Sequence, residues 1–301
     1  MITVLGSLNM DLVTTVKKTP LVGETILGSG LDYIPGGKGA NQAVTIGKLG
    51  GNIKMIGKIG NDEYGKILLE SLSKSSVNIE NIYKSDLSTG LAFIMVNRNG
   101  DNSIVVIPGA NFDINEEEII EKKHIIESSN IFVTQLETPL KVVAKGLKIA
   151  KDARIRTILN PAPAKELSDS IISTVDILTP NKSELEILSK VKITDDKSLM
   201  EASNIMISKG VKNLIVTLGE NGSLLVNSEG YEKFNAVKVN AVDTTAAGDS
   251  FTGAIAYELD RGSTIRKAIK IATNVAALSV TRKGAQTALP SRNELNEFMK
   301  G

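Results

Sequence analysis

The sequence predicts an α/β fold with a mainly parallel β-sheet, because strand-like and helix-like segments alternate along most of the chain. Short runs rich in Val and Ile are followed by amphipathic segments, a pattern typical of βαβ units. The predicted buried strands are Ile2–Leu5, Ile53–Ile59, Ile131–Gln135, Thr157–Leu159, Ile177–Leu178 and Asn213–Leu218.

Helices are predicted where apolar residues recur with a helical period between or beside these strands. These segments are Lys38–Leu49, Glu63–Ser75, Asn115–Glu127, Leu140–Lys151, Lys182–Leu188 and Ser198–Lys209. The C-terminal third adds a hairpin-like region around Asn221-Gly222 and helices that begin near Asp249, Thr264 and Ser291.

Two strand-rich stretches interrupt this alternation, and neither has a helical period. Residues from about Leu12 to Tyr33 contain short strand-like runs separated by Gly and Pro, and Gly90–Ile107 reads as a hairpin with a tight turn at Asn99-Gly100. The two stretches could form a small separate sheet over the main domain, or they could extend the main sheet with antiparallel strands. The pattern alone favours neither arrangement.

The composition excludes several classes of function. The 301 residues include 35 Lys+Arg and 34 Asp+Glu, a formal net charge of +1 at pH 7. A dedicated nucleic-acid or anionic-membrane binder needs a basic surplus, so we expect neither partner. With 42% hydrophobic and 23% charged residues, the chain can build a full core, as one α/β domain or two smaller ones.

The scarcity of cysteine and histidine narrows the chemistry further. The chain has no Cys, which excludes disulfides, thiolate nucleophiles and Cys-ligated zinc. The single histidine, His124, lies in a polar stretch, and the sequence contains no Gly-x-Ser-x-Gly motif. Both observations argue against a Ser/His/Asp hydrolase. The N-terminal stretch lacks the pattern of a signal peptide, and no apolar run approaches the roughly 20 residues of a membrane span, so we expect a cytoplasmic protein.

One glycine-containing segment is the strongest candidate for a phosphate site, and a second resembles a phosphate loop only in part. In Asp243–Phe251, three successive small residues precede a predicted helix, so the first-turn N–H groups are uncovered and favour an anion. Asp249 beside them is either a helix cap or a carboxylate that accepts a hydroxyl proton during phosphoryl transfer. Gly60–Ile67 nearly matches a Walker A loop, but Ile67 stands where a Ser or Thr must bind magnesium, so we interpret it as a turn before a helix.

Two further segments are suited to a hydroxylated ligand. Pro35–Gln42 contains small residues that let the backbone approach a ligand, and Asn41 can both donate and accept hydrogen bonds. Gly6–Asp11 follows the first predicted strand, where ligands of open α/β sheets bind. Asp11 can accept two hydroxyl hydrogens, as a polyol would offer, although Asn and Asp are also ordinary loop residues.

Taken together, these motifs resemble a known family. Gly36–Ala43 and Asp243–Asp249 resemble the two signatures of the ribokinase-like carbohydrate kinases. Four further segments narrow the resemblance, and their order and spacing span essentially the whole chain: Gly6–Asp11, Asn160–Ala164, Thr179–Glu184 and Thr281–Gln286.

The resemblance implies a fold and a reaction. The fold is a doubly wound α/β kinase in one unit of residues 1–301, with a β-sheet lid, formed by about residues 11–35 and 88–107, that makes a homodimer. The reaction is ATP-dependent phosphorylation of the 5-hydroxyl of D-ribose, with Asp249 as general base and an anion hole of Ala246, Ala247 and Gly248. The expected sugar contacts are Asn9, Asp11, Gly37, Lys38, Asn41, Glu137 and Asp249.

The resemblance also implies sites for ATP, magnesium and potassium. Asn181 and Glu184 match a segment that organises magnesium and the phosphates, partly through water. The other expected nucleotide contacts are Thr217, Leu218, Gly219, Glu220, Asn221, Gly222, Gly248, Thr273 and Asn274. Potassium is expected to activate by binding, mostly through backbone carbonyls, at Asp243, Thr245, Ser279, Arg282, Gly284 and Ala288.

The sequence departs from the family pattern at a few positions. Ala246 stands where Gly is common, and its methyl group is tolerated if the φ of this residue is negative. Ala288 has no hydroxyl where some relatives have Ser, so only its carbonyl can bind the cation.

Two alternative functions stay open. A related acceptor such as 2-deoxyribose, or less favourably fructose, would keep the mechanism and change what Asn9, Asp11 and Asn41 recognise. Adenosine is disfavoured because aromatic residues make up only 4% of the chain. A catalytically silent sugar-binding protein on the same scaffold is the alternative outside the kinases.

Overall fold

The computed structural model describes residues 1–97 and 101–300. The strands of these residues are β1 (Ile2–Leu5), β2 (Asn9–Val16), β3 (Gly28–Gly36), β4 (Ile53–Gly60), β5 (Val77–Ser85), β6 (Gly90–Val96), β7 (Asn102–Ile107), β8 (Ile131–Thr134), β9 (Arg156–Leu159), β10 (Ile177–Leu178), β11 (Asn213–Thr217), β12 (Ser223–Asn227) and β13 (Gly230–Phe234). The helices are α1 (Lys38–Lys48), α2 (Glu63–Lys74), α3 (Ala110–Asp113), α4 (Glu116–Glu121), α5 (Lys123–Glu127), α6 (Leu140–Asp152), α7 (Asp169–Ile172), α8 (Lys182–Ser189), α9 (Asp196–Ser208), α10 (Ala247–Asp260), α11 (Ile265–Ser279) and α12 (Arg292–Phe298).

The larger sheet has the order β5-β4-β1-β8-β9-β10-β11-β12-β13. The first seven strands in this order, β5-β4-β1-β8-β9-β10-β11, pair in parallel. Strands β12 and β13 extend the sheet beyond β11 with antiparallel pairing. The central strand β1 is buried along its whole length, and its Ile2 pairs with Ile53 on one side and Ile131 on the other. The predicted mainly parallel sheet is confirmed.

Helices cover both faces of this sheet. Alternate residues of a strand point to opposite faces, and along β8 Ile131 and Val133 join one hydrophobic core while Phe132 joins the other. The first core contains side chains of α1, α10 and α11, and the second contains side chains of α6, α8 and α9. The doubly wound arrangement is therefore confirmed, and it brings the carboxyl ends of the parallel strands to one edge of the sheet.

A second sheet is separate from the first and has the order β3-β2-β6-β7. Strand β2 pairs antiparallel with β3 and parallel with β6, and β7 lies at the edge. The separate-sheet interpretation of the two strand-rich stretches is thus confirmed, and the extension of the main sheet is wrong. The predicted turn at Asn99-Gly100 lies outside the described residues.

Several elements differ from the sequence prediction, and the short helices α3 and α7 were not predicted. The helix expected over Asn115–Glu127 is divided into α4 and α5 at Lys122. Strand β5 was not predicted, because its buried residues Val77, Asn81 and Ser85 are four apart and do not alternate with polar ones. No helix of residues 1–97 and 101–300 is both long enough and apolar enough to cross a membrane.

Candidate active site

The candidate site is a cavity of about 200 Å³ at the carboxyl edge of the main sheet. Segments that follow β9 and β10 form one wall, and the starts of α1 and α10 form the other. The cavity is lined by Lys38, Asn160, Ala162, Thr179, Asn181, Glu184, Thr217, Thr244, Ala246, Ala247, Gly248 and Asp249. Candidate residues that are far apart in sequence therefore meet at one place.

The glycine loop before α1 packs directly on the segment after β1. Gly37 has a φ of 88°, and a Cβ there would lie 2.7 Å from the backbone nitrogen of Asn9. A Cβ on Gly39 would lie 2.6 Å from the backbone nitrogen of Ser7. The Ala40 N–H also donates a 2.9 Å hydrogen bond to the carbonyl of Ser7. Glycine is needed at both positions because any side chain would separate the two segments.

Asp249 lies in the first turn of α10, and its side chain is almost fully buried. Its Oδ2 accepts a 2.9 Å hydrogen bond from the Asn41 side-chain amide. Its Oδ1 accepts a 3.2 Å bond from the Gln42 amide. The Oδ1 of Asn41 is buried and accepts no hydrogen bond from any described residue. The pair therefore offers a carboxylate and an open amide acceptor to a ligand.

The start of α10 has the features of an anion site. No side chain caps this terminus, and the Ala247 N–H donates a 3.2 Å bond to the carbonyl of Thr244. The N–H groups of Gly248 and Asp249 donate to no acceptor within the described residues. A 14-residue helix whose first-turn N–H groups lack acceptors attracts negative charge through those groups and its dipole.

The conformation of Ala246 corrects one expectation. Its φ is 60° and its ψ is 8°, which is the left-handed region, whereas the sequence argument required a negative φ. This conformation costs an L-residue about 1–2 kcal/mol. Ala246 nevertheless occupies it, because the chain turns there into the first turn of α10.

Side chains that follow β1 and β8 form the other part of the site. Glu137 Oε2 accepts a 2.5 Å bond from the Ser7 hydroxyl and a 3.1 Å bond from the Lys38 backbone N–H. Asn9 Oδ1 accepts a 2.7 Å bond from the Asn111 side-chain amide. Both residues are thus held in fixed orientations by neighbours.

Carboxylates outnumber cations in this region. Burial, together with the charges of Glu137 and Asp249, raises the pKa of Asp11 to about 7, although the charge of Lys38 opposes the shift. The Asp249 charge raises the pKa of Lys38 despite its burial. The site therefore favours a neutral, hydroxyl-rich molecule beside Lys38, because hydroxyl groups donate to carboxylates.

The Asn181–Glu184 pair forms the N-terminal cap of α8. Asn181 Oδ1 accepts from the Glu184 N–H at 2.8 Å, while Glu184 Oε2 accepts from the Asn181 N–H at 2.8 Å and Oε1 from its side-chain amide at 2.9 Å. Burial raises the pKa of Glu184. Both residues line the cavity, so the structure places this motif beside the anion site.

The other expected nucleotide residues lie at two places. Gly219–Asn221 forms a short 3₁₀ turn between β11 and β12, and Thr217 before it reaches the cavity. Thr273 and Asn274 lie within α11, where their side chains donate to the carbonyls of Ile269 and Lys270. Neither lines the cavity.

The segments expected to bind potassium are joined by Asp243. Its Oδ1 accepts bonds from the Thr245 N–H (2.9 Å) and hydroxyl (2.6 Å), and its Oδ2 accepts a 2.9 Å bond from the Gly284 N–H. Partial burial raises the pKa of Asp243, but these hydrogen bonds outweigh it and lower the pKa overall. Ser279 and Ala288, which lie within five residues of Gly284 in sequence, are both buried. The Ser279 hydroxyl lies 3.3 Å from the hydroxyl of Ser250 in α10.

Comparison with known proteins decides the family. Residues 1–292 match the model of the pfkB family carbohydrate kinases. The chain belongs to this family. The pfkB kinase described here is 39% identical to a ribokinase of Haemophilus influenzae, over 99% of this chain and 98% of the relative.

Two other relatives bear on the substrate. A deoxyribokinase of Salmonella typhimurium is 36% identical over 99% of this pfkB kinase and 98% of its own length. The solved structure of an Arabidopsis thaliana ribokinase complexed with ribose and ATP has a TM-score of 0.94 and 29% identity, covering 100% of this chain and 98% of that one. The expected membership of the ribokinase-like carbohydrate kinases is therefore confirmed.

Some residues of this pfkB kinase's site were not singled out from the sequence. Gln42 and Asn160 lie inside the quoted motifs Gly36–Ala43 and Asn160–Ala164, and that position is a signal which could have identified them. Asn111 lies in the four-residue helix α3, where no local pattern marks it. Its contact with Asn9 depends on the folding of residues 102 apart in sequence.

Proposed function

We propose that this kinase transfers the γ-phosphoryl group of ATP to the 5-hydroxyl of D-ribose and releases D-ribose 5-phosphate and ADP. The observation that carries the proposal is the position of Asp249, a buried carboxylate bonded to Asn41 and adjacent to the uncovered N–H of Gly248. Phosphoryl transfer to a hydroxyl needs a proton acceptor beside an anion-binding group. The similarity to ribokinases, one of them bound to ribose and ATP, supports the choice of substrates.

Asp249 acts as the general base in this proposal. Its carboxylate accepts the 5-hydroxyl proton while the hydroxyl oxygen forms a bond to the γ-phosphorus. The bond from that phosphorus to the β,γ-bridging oxygen breaks, and its electron pair leaves with ADP. The N–H groups of Gly248, Ala246 and Ala247 stabilise charge on the transferring group, and Ala247 exchanges its bond to Thr244 for one to the phosphoryl oxygen.

The sugar binds between the glycine loop and the segments after β1 and β8. The buried Asn41 Oδ1, which has no partner among the described residues, accepts a bond from a sugar hydroxyl. Such an acceptor costs about 1–3 kcal/mol while it is unsatisfied, so a ligand hydroxyl is favoured there. We place the remaining hydroxyl contacts at Asn9, Asp11, Gly37, Lys38 and Glu137.

A 2-deoxyribose kinase is the second candidate, and one observation favours it. The deoxyribokinase relative is 36% identical, close to the 39% of the ribokinase relative. A site that hydrogen-bonds a hydroxyl discriminates strongly against an analogue without it. The ratio of kcat/KM for ribose and 2-deoxyribose therefore distinguishes the two.

We place the nucleotide near Asn181, Glu184 and the turn at Thr217–Gly222. Magnesium, when bound, neutralises charge on the β- and γ-phosphates. The residues fit an ion that keeps most of its water, because both Glu184 carboxylate oxygens are engaged by Asn181. Within residues 1–97 and 101–300, no three His, Asp or Glu residues form a cluster that could hold the ion directly.

We also propose that potassium binds between the Asp243 and Thr281–Ala288 segments. Several carbonyl oxygens in this region accept no hydrogen bond within the described part of the chain, those of Arg282, Gly284 and Ala288 among them, which suits an ion bound by carbonyls. Carbonyls of Thr245 and Ser279 and the Asp243 segment complete the proposed set. Potassium here would stiffen the chain just before α10, so turnover should increase with potassium concentration.

The proposed assembly is a homodimer through the four-stranded sheet. Its edge strand β7 exposes four consecutive apolar residues, Ile104–Ile107, each 43–60% exposed. An uncovered edge of this kind pairs readily with a second copy. Light scattering that gives a monomer mass at every concentration would overturn this assembly.

The test is ATP-dependent phosphorylation of ribose, 2-deoxyribose, fructose and adenosine, with magnesium, in the presence and absence of potassium. The expected result is preference for ribose and stimulation by potassium. Preference for 2-deoxyribose would keep the mechanism and change the substrate. Binding of a sugar in calorimetry with no turnover of any acceptor would overturn the kinase proposal in favour of a silent sugar-binding protein.

A further inference from the structure

We infer that Gln42 is a positioning residue that fixes the orientation of the Asp249 carboxylate through a chain of buried amides. The inference rests on the proposed function, in which Asp249 is the base. Gln42 lies next to Asn41 at the start of α1, and its side chain is fully buried. It does not line the cavity, so it reaches the reaction through Asp249.

Both ends of the Gln42 side chain are committed. Its Nε2 donates 3.2 Å bonds to Asp249 Oδ1 and to Asn160 Oδ1. Its Oε1 accepts a 2.6 Å bond from the Gln135 side-chain amide. Asn160 in turn donates a 3.0 Å bond to the carbonyl of Thr179. The chain of amides therefore joins α10 to α1 and to the segments after β8, β9 and β10.

This chain restrains the carboxylate at both oxygens. Asn41 holds Oδ2 and Gln42 holds Oδ1, so rotation of the carboxylate would break both bonds. The amide groups are neutral and do not ionise near neutral pH, so they orient Asp249 without competing for the hydroxyl proton. A base held in one orientation keeps a lone pair directed at the acceptor hydroxyl, and misplacement of a catalytic group by about 1 Å can cost 100-fold in rate.

The kinetic test compares two variants on the same helix. Gln42→Met keeps the length of the side chain and removes the amide, and we expect kcat to fall about tenfold or more while the sugar KM changes less than about threefold. The matched control is Thr45→Val, which removes a buried hydroxyl bonded to the Asn41 carbonyl one turn away and does not touch Asp249. We expect it to lower the melting temperature similarly and to leave kcat within about twofold.

Three glutamines in the sequence allow a test that does not depend on turnover. Selective ¹⁵N labelling of glutamine gives side-chain amide signals from Gln42, Gln135 and Gln286 only. Asp249→Asn should shift the Gln42 amide protons strongly upfield, because they lose a charged acceptor. Gln286, which bonds to Ser71 and Gly36, is the internal control and should not move.

The outcomes separate this inference from the proposed function. The inference is overturned if the chemical shifts of the Gln42 amide protons are the same in Asp249→Asn as in the wild type. It is also overturned if Gln42→Met has the kcat of the wild type. An equal loss of kcat in Thr45→Val also overturns it, because the loss would then come from α1 as a whole. If the wild type phosphorylates no sugar, the proposed function fails, while the amide signal still reports whether Gln42 holds Asp249.

Discussion

The side-chain amide of Asn41 donates a 2.9 Å hydrogen bond to Asp249 across 208 residues of sequence. This bond joins the two glycine-containing segments at the starts of α1 and α10. The two helices belong to the same hydrophobic core on one face of the main sheet. Packing of the helix bodies therefore sets the separation of the two side chains.

Asp249→Asn tests the proposed base. The amide has nearly the same shape but cannot accept the hydroxyl proton, so kcat should fall by about 100- to 10,000-fold. The asparagine oxygen can still accept from Asn41 or Gln42, but its NH2 group faces the other donor, so the melting temperature should fall by about 2–4 °C without loss of the fold. The control is Asp260→Asn at the last residue of the same helix, where the carboxylate pairs with the N-terminal ammonium at 2.9 Å. Steady-state kinetics of that control should stay within about twofold of the wild type, and near-normal turnover of Asp249→Asn would remove Asp249 from its role.

Much of the fold was predictable from local patterns. The predicted strand Ile2–Leu5 has the same bounds in the structure, because a short apolar run that is buried on both faces marks it clearly. Helix α1 differs from its prediction by one residue. The edge strand β5 was missed, since its buried positions follow no strand period. A pattern method sees burial only where it is regular.

Site chemistry was predictable only where it lies in a motif. Asp249 and Asn41 lie in the glycine-containing segments, so both were predicted from the sequence as residues of the site. Asn111 was not predicted, because its bonds to Leu8 and Asn9 arise from tertiary packing. The positive φ of Ala246 was also missed, since alanine gives no signal for the left-handed region.

Asn111→Asp tests how Asn9 is oriented. The Asn111 amide nitrogen donates to Asn9 Oδ1 at 2.7 Å and to the Leu8 carbonyl at 3.0 Å. A carboxylate oxygen there would repel both acceptors, so the Asn9 amide should turn and lose the bond to the sugar that we propose for it. We expect the sugar KM to rise about tenfold, the equivalent of one hydrogen bond, with a smaller effect on kcat.

A second asparagine provides the control for that measurement. Asn115→Asp changes the N-cap of α4, where Oδ1 accepts from the Glu118 N–H and aspartate caps equally well. Its KM and kcat should match those of the wild type. An unchanged sugar KM in Asn111→Asp would show that Asn9 is oriented without Asn111.

Ala246→Gly should stabilise the protein. The present φ of 60° costs alanine about 1–2 kcal/mol, and glycine relieves that cost while adding about 0.4–1 kcal/mol of unfolded-state entropy. The net gain is about 0.5–1 kcal/mol, measured as a higher free energy of unfolding in urea. Ala247→Gly, inside the first turn of α10, should lose about 0.5–1 kcal/mol instead. A destabilised Ala246→Gly would contradict the left-handed conformation.

Asp11 makes stability depend on pH. Its pKa is about 7 in the folded protein and 3.8 as an ordinary aspartate, because burial and the charges of Glu137 and Asp249 disfavour the carboxylate. Between those values the folded state binds more protons than the unfolded state, so this group lowers the free energy of unfolding as pH rises. Asp11→Asn lacks that contribution. Its stability relative to the wild type should therefore increase from about pH 4 to pH 7 and then level off, whereas a constant difference would contradict the raised pKa.

The ionisation of Asp11 should also govern sugar affinity, which should rise with pH while the stability of the protein falls. Ionised Asp11 accepts hydrogen bonds from two hydroxyl groups, whereas the protonated form offers one donor and a weaker acceptor. The sugar KM should therefore decrease as pH rises through about 7, the pKa of Asp11 in the unliganded protein. A bound hydroxyl favours the carboxylate, so the pKa of Asp11 should be lower in the sugar complex than in the unliganded protein. Asp11→Asn should raise KM and remove its pH dependence in this range. If Asp11→Asn keeps the wild-type pH dependence of KM, another group in the site is responsible for it. Asp11 would then affect folding stability without controlling the binding of the sugar.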